Sequence, residues 1–163
     1  MREIFDKQPH LEISSVKNYV LLDTCFFINT FENQKAHKLR ELMNFKSVAI
    51  TSFNVDEFLL IAHSVDERIR ENVRRFLKRN NIYILNIDVK PGDRSKEVSF
   101  IRNADIGLLN EVSDPSDAVL VAAAILTQST ILTKDKHHLF TTKLENYLNK
   151  YKIAVHKEYH DII

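Results

Sequence analysis

The sequence predicts an α/β protein, a three-layer α/β/α sandwich around a central parallel sheet of about five strands. Short apolar runs alternate along the chain with longer stretches in which apolar residues recur every three or four positions. The short runs are apolar throughout, which is typical of strands that helices cover on both faces. The length of 163 residues is typical of a single domain.

The predicted strands and helices follow one another in regular order. Apolar runs typical of buried strands lie at 19–23, 48–51, 82–85, 130–133 and 153–155. Amphipathic spacing predicts helices over about 35–45, 55–65, 69–77, 94–111 and 140–151. Asp114 and Pro115 are typical of an N-cap and a first helical position. The helix that they begin is apolar nearly all round from Ala118 to Leu126 and is expected to be central.

The two ends of the chain show less pattern. Residues 1–18 are polar, contain Pro9 and lack sustained periodicity, so they are predicted to form an N-terminal arm before a domain at 19–155. Residues 156–163 are predicted to be a C-terminal tail. No apolar run reaches the ~18–20 residues that span a bilayer, and no apolar signal region follows Met1. A cytoplasmic protein that does not enter a membrane is therefore expected.

The composition excludes several classes of site. The chain has two glycines, so it contains neither the glycine-rich dinucleotide fingerprint nor the P-loop motif. A single cysteine, Cys25, excludes an internal disulfide and any multi-cysteine zinc site, and it is expected to be a small buried apolar residue. The net charge of +1 provides no global field for nucleic acid, so binding of that kind requires a local patch.

Four acidic residues are placed where open parallel sheets bind ligands. Asp23 ends the first predicted strand, and Asp135 comes two residues after the fourth. Glu57 and Asp117 lie in the first turns of two helices. Because ligands bind beyond the carboxyl ends of parallel strands, we expect the four carboxylates to share one crevice. A divalent cation would relieve their repulsion, and oxygen ligands suit Mg²⁺ or Mn²⁺.

Other polar residues near these acids have open roles. The hydroxyls of Thr24 and Ser52 could contact metal-bound water or phosphate, and Thr133 could steady Asp135 or the shell of a metal ion. Asp56 is an alternative to its neighbour Glu57 as the acid that this helix contributes to the crevice. His137 and His138 either reach phosphate or metal or lie on the surface. Three further acids are left open: Asp88, Asp105 and Asp114. Asp114 either joins the site or is a helix cap, Asp105 either borders the site or is solvated on a predicted helix face, and Asp88 has no assigned place.

Four segments resemble, in order, the motifs of the PIN-domain ribonucleases. They are Leu21-Leu22-Asp23-Thr24 with Phe26-Phe27-Ile28, Thr51-Ser52 through Glu57-Phe58, Asp117 through Ala123, and Thr133-Lys134-Asp135 with Leu139. The resemblance covers about residues 19–155. It implies a parallel α/β/α sandwich that binds Mg²⁺ or Mn²⁺ and cuts RNA, with the four acids as catalytic metal ligands. Many members are VapC-type toxins, so an antitoxin or other protein partner and a homodimer are expected. The 18-residue arm departs from such toxins, whose first acid lies near the start.

One predicted helix is unusually basic. It contains Arg70, Arg74 and Arg75 among six positive residues within twelve positions. These arginines either contact RNA phosphates or form a solvated helix face with local ion pairs.

A metal-dependent endoribonuclease is the function that the sequence favours. Two alternatives stay open. A receiver-like module with an acidic Mg²⁺ pocket would need an acid doublet at the first strand, where Asp23 stands alone, and an acceptor such as Asp88. An inactive PIN scaffold would bind RNA or a protein partner without cutting, although the intact set of acids argues against it.

Overall fold

The computed structural model describes residues 1–136, 138, 139 and 141–163. His137 and Phe140, the one predicted as a possible ligand and the other as part of a helix, lie outside the described residues. Within this part of the chain, six parallel strands form one sheet in the order β1-β4-β3-β2-β5-β6. The strands are β1 (His10–Glu12), β2 (Val20–Leu22), β3 (Val48–Thr51), β4 (Tyr83–Asn86), β5 (Thr130–Leu132) and β6 (Val155–His156).

Helices connect the strands and cover both faces of the sheet. They are α1 (Arg2–Asp6), α2 (Thr24–Glu32), α3 (Ala36–Phe45), α4 (Ser52–Ile61), α5 (Glu67–Arg79), α6 (Arg94–Ala104), α7 (Leu108–Glu111), α8 (Pro115–Thr127) and α9 (Thr142–Leu148). Short 3₁₀ turns lie at Ile13–Ser15, Ala62–Ser64, Asn149–Tyr151 and Tyr159–Asp161. In the described part of the chain, no helix is both long and apolar enough to cross a membrane.

Alternate residues of the strands point to opposite faces of the sheet and define the layers. Leu21 and Ile131 pack into a core with α6, α8 and α9, whereas Val20 and Leu22 pack into a second core with α1, α2, α3 and α5. This alternation is a property of extended backbone. The three-layer parallel architecture predicted from the sequence is therefore confirmed, with six strands where about five were expected.

The additional strand comes from the segment predicted to be an arm. Strand β1 pairs in parallel with β4, placing Leu11 opposite Leu85. Before it, Phe5 is buried in the second core, and the buried Gln8 side chain accepts a hydrogen bond from the Ile82 N–H at 3.0 Å. Gln8 also donates to the Leu77 carbonyl at 3.1 Å. The arm is thus part of the folded structure, although a three-residue strand with polar ends carries little sequence pattern.

The helix predicted over 94–111 is divided in two. Helix α6 ends at Ala104 because Asp105 adopts extended backbone, and its carboxylate accepts a hydrogen bond from the Gly107 N–H at 2.8 Å. The short helix α7 begins after this turn. The Asp105 carboxylate also accepts hydrogen bonds from Tyr147 and Tyr151, so Asp105 is buried and not solvated.

The parallel sheet brings together the segments that carry the predicted acids. Strands β2, β3 and β5 are adjacent, so their carboxyl ends lie side by side at one edge. Asp23 is the N-cap of α2, directly after β2. Helix α8 leads back toward the start of β5, so its N-terminus lies near the same edge. Asp114 is the N-cap of α8, as predicted, and Asp117 lies in its first turn.

Candidate functional site

The four predicted acids line one pocket at the carboxyl edge of the sheet. We call it the acid pocket; its volume is about 510 Å³. Other side chains complete its wall, among them one lysine and several apolar residues. The lining residues are Asp23, Thr24, Cys25, Ile28, Glu32, Glu57, Ile61, Ser116, Asp117, Leu120, Lys134 and Asp135.

Asp23 is held by hydrogen bonds on both carboxylate oxygens. Its Oδ1 accepts from the Thr24 backbone N–H at 2.8 Å, the usual contact of an N-cap with the start of its helix. Its Oδ2 accepts from the Thr133 hydroxyl at 2.7 Å. The Asp23 backbone N–H donates to the Leu132 carbonyl at 2.9 Å. Two strand ends therefore fix the position of this carboxylate.

Thr133 connects Asp23 with Asp135. Its hydroxyl donates to Asp23 and accepts from the Asp135 backbone N–H at 3.0 Å. Thr133 is fully buried, so this link is protected from water. The Asp135 carboxylate in turn accepts from the His138 backbone N–H at 3.2 Å. The predicted role of Thr133 as a neighbour of the acids agrees with these contacts.

Glu57 is positioned by Asn54 and Thr24. Its Oε1 accepts from the Asn54 side-chain amide at 3.0 Å and lies 3.1 Å from the Thr24 hydroxyl. The sequence did not single out Asn54, yet its side chain is buried, and its Nδ2 lies 3.0 Å from the Thr24 hydroxyl and 3.4 Å from Asp23. Thr51 caps α4 and bonds both the backbone N–H and the side chain of Asn54. A Thr-x-x-Asn capping pattern was the available sequence signal.

Asp117 lies across the pocket from this network. The His138 imidazole is 3.9 Å from its Oδ2. Its neighbour Ser116 lines the pocket and donates its hydroxyl to the buried Glu97 at 3.1 Å. Glu97 also accepts from the Gly92 backbone N–H at 3.1 Å, so it links the start of α8 to the turn before α6.

Burial and mutual repulsion make three acids of the pocket reluctant to ionise. Burial is the main cause that raises the pKa of Asp23, and the charge of Asp135 contributes. Burial, followed by the charge of Asp23, raises the pKa of Glu57 to about 7. Burial, followed by the charges of Asp114 and Asp135, raises the pKa of Asp117 to about 6. Carboxylates behave in this way when they share a partly desolvated site without a counter-ion.

The donor set of the pocket fits a hard divalent cation. Its acids provide oxygen ligands of the kind that Mg²⁺ and Mn²⁺ prefer, and a cation would relieve the repulsion that raises their pKa values. Among the residues that the structure describes, no three carboxylate, imidazole or thiol groups are gathered closely enough to form a metal centre as they stand. The side chains therefore need to converge further when a cation binds.

Several predicted candidates lie elsewhere. The Ser52 hydroxyl donates to the Ile87 carbonyl at 3.1 Å and accepts from the Ile87 N–H at 3.0 Å, so it joins α4 to the segment after β4. Asp56 forms ion pairs with Arg2 and Lys90. The other unplaced acids are outside the lining of the pocket: Asp88, Asp105 and Asp114.

The three arginines predicted to contact RNA point in different directions. Arg70 donates to the Ala62 carbonyl at 3.2 Å, and Arg74 pairs with Glu71 at 3.2 Å. Arg75 lies in a separate groove with other arginines. They therefore do not act as one free surface, since Arg70 and Arg74 are engaged within the protein and Arg75 lines a different groove.

Cys25 is exposed, contrary to the expectation of a buried apolar residue. Its thiol donates to Asp23 Oδ2 at 3.1 Å. Although the residue is exposed overall, desolvation of its sulfur by the pocket wall, followed by the charge of Asp23, raises the pKa of Cys25 to about 12. The residue thus presents a neutral thiol at the pocket wall, because the first turn of α2 faces the acids.

Comparison with known proteins agrees with the fold. A family model described as PIN domain matches residues 20–142. The chain is similar to DNA-bound VapBC from Salmonella typhimurium, with 21% identity, coverage of 86% of this chain and 98% of that chain, and a TM-score of 0.52. It is also similar to FitAcB from Neisseria gonorrhoeae, with 16% identity, coverage of 86% of this chain and 99% of that chain, and a TM-score of 0.49. No curated protein matches the chain in sequence.

Proposed function

Because this chain belongs to the PIN-domain family, a family of nucleases, we propose that it is a metal-dependent endoribonuclease that hydrolyses RNA phosphodiester bonds. The observation that carries the proposal is the meeting of four acids from distant parts of the chain in one pocket. Asp23, Glu57, Asp117 and Asp135 are the proposed ligands of Mg²⁺ or Mn²⁺. When bound, such a cation activates a water molecule and stabilises the charge that develops on the phosphate.

The residues of the pocket prepare it for this chemistry. Asp23 is kept in one orientation by Thr133 and by the first backbone N–H of α2. Glu57 is engaged through Oε1, which leaves Oε2 to a ligand. Lys134 lines the pocket but pairs with Glu158 at 2.7 Å, so its charge is directed to the protein and not to the acids. The pocket thus keeps a negative charge that requires a cation before a phosphate can enter.

Partners are a second part of the proposal. The Salmonella relative is a VapBC assembly bound to DNA. By analogy, we propose that this protein acts as a homodimeric toxin that an antitoxin holds inactive, with a cytoplasmic RNA as the substrate. A nuclease that processes RNA without an antitoxin is the second candidate, which the folded N-terminal segment favours because the family match begins at residue 20.

The function is tested with the purified full chain. We expect the wild type to cut single-stranded or structured RNA with Mg²⁺ or Mn²⁺ and not with EDTA. Asp23→Asn is nearly isosteric and should abolish cleavage while leaving the melting temperature within a few degrees. The matched control is Asp88→Asn, which removes an exposed acid outside the pocket and should keep full activity.

The same experiment separates the alternatives. Equal activity of Asp23→Asn and the wild type would remove the acid pocket as the catalytic site. A wild type that binds RNA but cuts none with either metal would make the protein an inactive scaffold. A receiver-like module is disfavoured because Asp88, its candidate acceptor, is not among the residues that line the pocket.

A further inference from the structure

A second concave surface lies on the sheet face covered by α2, α3 and α5. It is an open groove of about 620 Å³ between α5 and the segment that joins α2 to α3. Arg68, Arg75 and Arg79 follow one stripe of α5 at helical spacing, and Arg40 faces them from α3. We call this surface the arginine groove, after its four arginines.

The arginine groove carries positive charge that the protein leaves uncompensated. Among the described residues that line it there is no acid, and none of the four arginines forms an ion pair within the described chain. Other cations do find partners, such as Arg74 with Glu71 and Lys134 with Glu158. In a protein of net charge +1, four unpaired guanidinium groups in one groove are a strong local concentration.

The chemistry of the groove fits a nucleic-acid strand. Guanidinium groups bind phosphate oxygens through paired hydrogen bonds, and their planar faces also stack on bases. The amide side chains of Asn72 and Gln34 offer further donors. Phe31 and Phe76 form a buried aromatic floor, with ring centroids 5.5 Å apart.

Helix α2 connects the groove with the acid pocket. Thr24 in its first turn lines the acid pocket, and Phe31 in its last turn lines the groove. At 1.5 Å per residue, these positions are about 10 Å apart along the helix, roughly the rise of three stacked nucleotides. Glu32, the last residue of α2, lines the acid pocket, so the boundary between the negative pocket and the positive groove lies at this end of the helix.

We propose that the arginine groove binds the phosphate backbone of single-stranded RNA a few nucleotides away from the bond held at the acid pocket. This inference rests on the proposed function and adds the direction in which the substrate runs. Phosphate contacts fix the register of a strand without reading its sequence. The groove therefore holds RNA of many sequences and contributes to affinity.

Binding is measured by fluorescence anisotropy with a labelled single-stranded RNA of about 12 nucleotides, in EDTA to prevent cleavage. The test variant is Arg40→Gln/Arg68→Gln/Arg75→Gln. The control is Arg94→Gln/Lys96→Gln/Arg102→Gln, which removes the same charge from exposed positions of α6 on the opposite sheet face. We expect at least about a tenfold loss of affinity in the test variant alone, and a salt slope smaller by about 2, since each lost phosphate contact removes ~0.7.

Thermal melting shows whether the variants are folded. If the triple variant melts early, the single change Arg75→Gln replaces it, with an expected decrease in slope of about 0.7. If a folded groove variant keeps the RNA affinity and the salt slope of the wild type, the proposal is overturned. Loss of binding to a polyglutamate probe, with RNA affinity kept, would assign the groove to an acidic protein partner instead.

Different results contradict the proposed RNA groove and the proposed nuclease function. A wild type that binds RNA through the groove but cuts none with Mg²⁺ or Mn²⁺ contradicts the proposed function and keeps the groove. A groove variant that binds and cuts long RNA as the wild type does contradicts the groove and keeps the function.

Discussion

The amide of Asn54 connects two of the carboxylates that line the acid pocket. Its Nδ2 lies 3.0 Å from Glu57 Oε1 and 3.4 Å from Asp23 Oδ1. Its Oδ1 accepts from the Thr51 hydroxyl at 2.6 Å, which fixes the orientation of the amide. The side chain is buried among these partners. Asn54 is therefore a positioning residue for the acids and not a ligand in itself.

We predict that Asn54→Ala lowers the free energy of unfolding by about 1–3 kcal/mol, because it leaves buried partners unsatisfied. It should also reduce the cleavage rate, since Glu57 loses a donor that orients it. Urea unfolding and a cleavage assay measure the two effects. Asn33→Ala is the control, because the Asn33 amide bonds only the Asn29 carbonyl at an exposed site. Full activity in Asn54→Ala would show that Glu57 needs no such support.

Single residues differ in how well the sequence predicts them. Asp23 follows a buried strand and Asp117 follows a helix cap, so local pattern placed both at the correct edge. Cys25 was predicted wrongly, and Ser52 contacts Ile87 outside the lining of the pocket, because the contacts of both depend on which way one helical turn faces. The direction of the Arg70 side chain was equally hard to predict, because its Nη1 donates to a backbone carbonyl. Such directions are set by packing between distant segments.

At the scale of elements, the Asp105 carboxylate joins α6 to the C-terminal helices. It accepts hydrogen bonds from Tyr147 at 2.5 Å and from Tyr151, and it pairs with Lys150 at 3.1 Å. Burial would raise the pKa of Asp105, but the hydrogen bonds from these groups and from the Gly107 N–H outweigh it. They hold the pKa at about 2. The ionised carboxylate is therefore the form that the folded protein stabilises.

We predict that Asp105→Asn lowers the free energy of unfolding by about 2 kcal/mol at pH 7. The folded pKa is below the usual value, so the unfolded chain takes up the proton more readily. The stabilisation is complete above pH ~4 and is lost as the pH falls through 2. Urea unfolding of both proteins between pH 7 and 2 measures the narrowing difference. A difference that stays constant with pH would show that the effect is steric.

The break between α6 and α7 illustrates a limit of prediction for elements. The apolar spacing of Ile101, Leu108 and Val112 continues across the break, so periodicity predicted one helix. What ends α6 is the attraction of Asp105 to two tyrosines more than forty positions away. Helices α5 and α8, whose N-caps Asp66 and Asp114 bond within their own first turns, agreed closely with their local pattern.

At the scale of the whole molecule, the first eighteen residues complete the fold. Phe5 packs edge-on against Phe58 with ring centroids 5.7 Å apart, and Phe58 packs in the same way against Phe27. The sequence predicted the other five strands because they form apolar runs. It missed β1 because that strand is short, partly exposed and paired on one side to β4.

We predict that Phe5→Ala lowers the free energy of unfolding by about 3–5 kcal/mol, because it empties a fully packed site. Phe45→Ala is the matched control: the Phe45 side chain is 70% exposed, and its removal should change stability by less than about 0.5 kcal/mol. Urea titrations of the two variants give both values. Equal, small effects would mean that residues 1–18 are attached only loosely and that the domain is stable without them.

The strand order also determines when each part of the molecule can form during synthesis on the ribosome. Strand β1 is made before its partner β4, which ends at Asn86. The two strands can therefore pair only after more than seventy further residues have been added to the chain. The acid pocket is completed later still, since β5 and Asp135 follow β4 in the chain. A growing chain therefore holds Asp23 and Glu57 well before it holds the complete acid pocket. By this order, the nascent chain acquires all four carboxylates of the acid pocket only after Asp135 has been made.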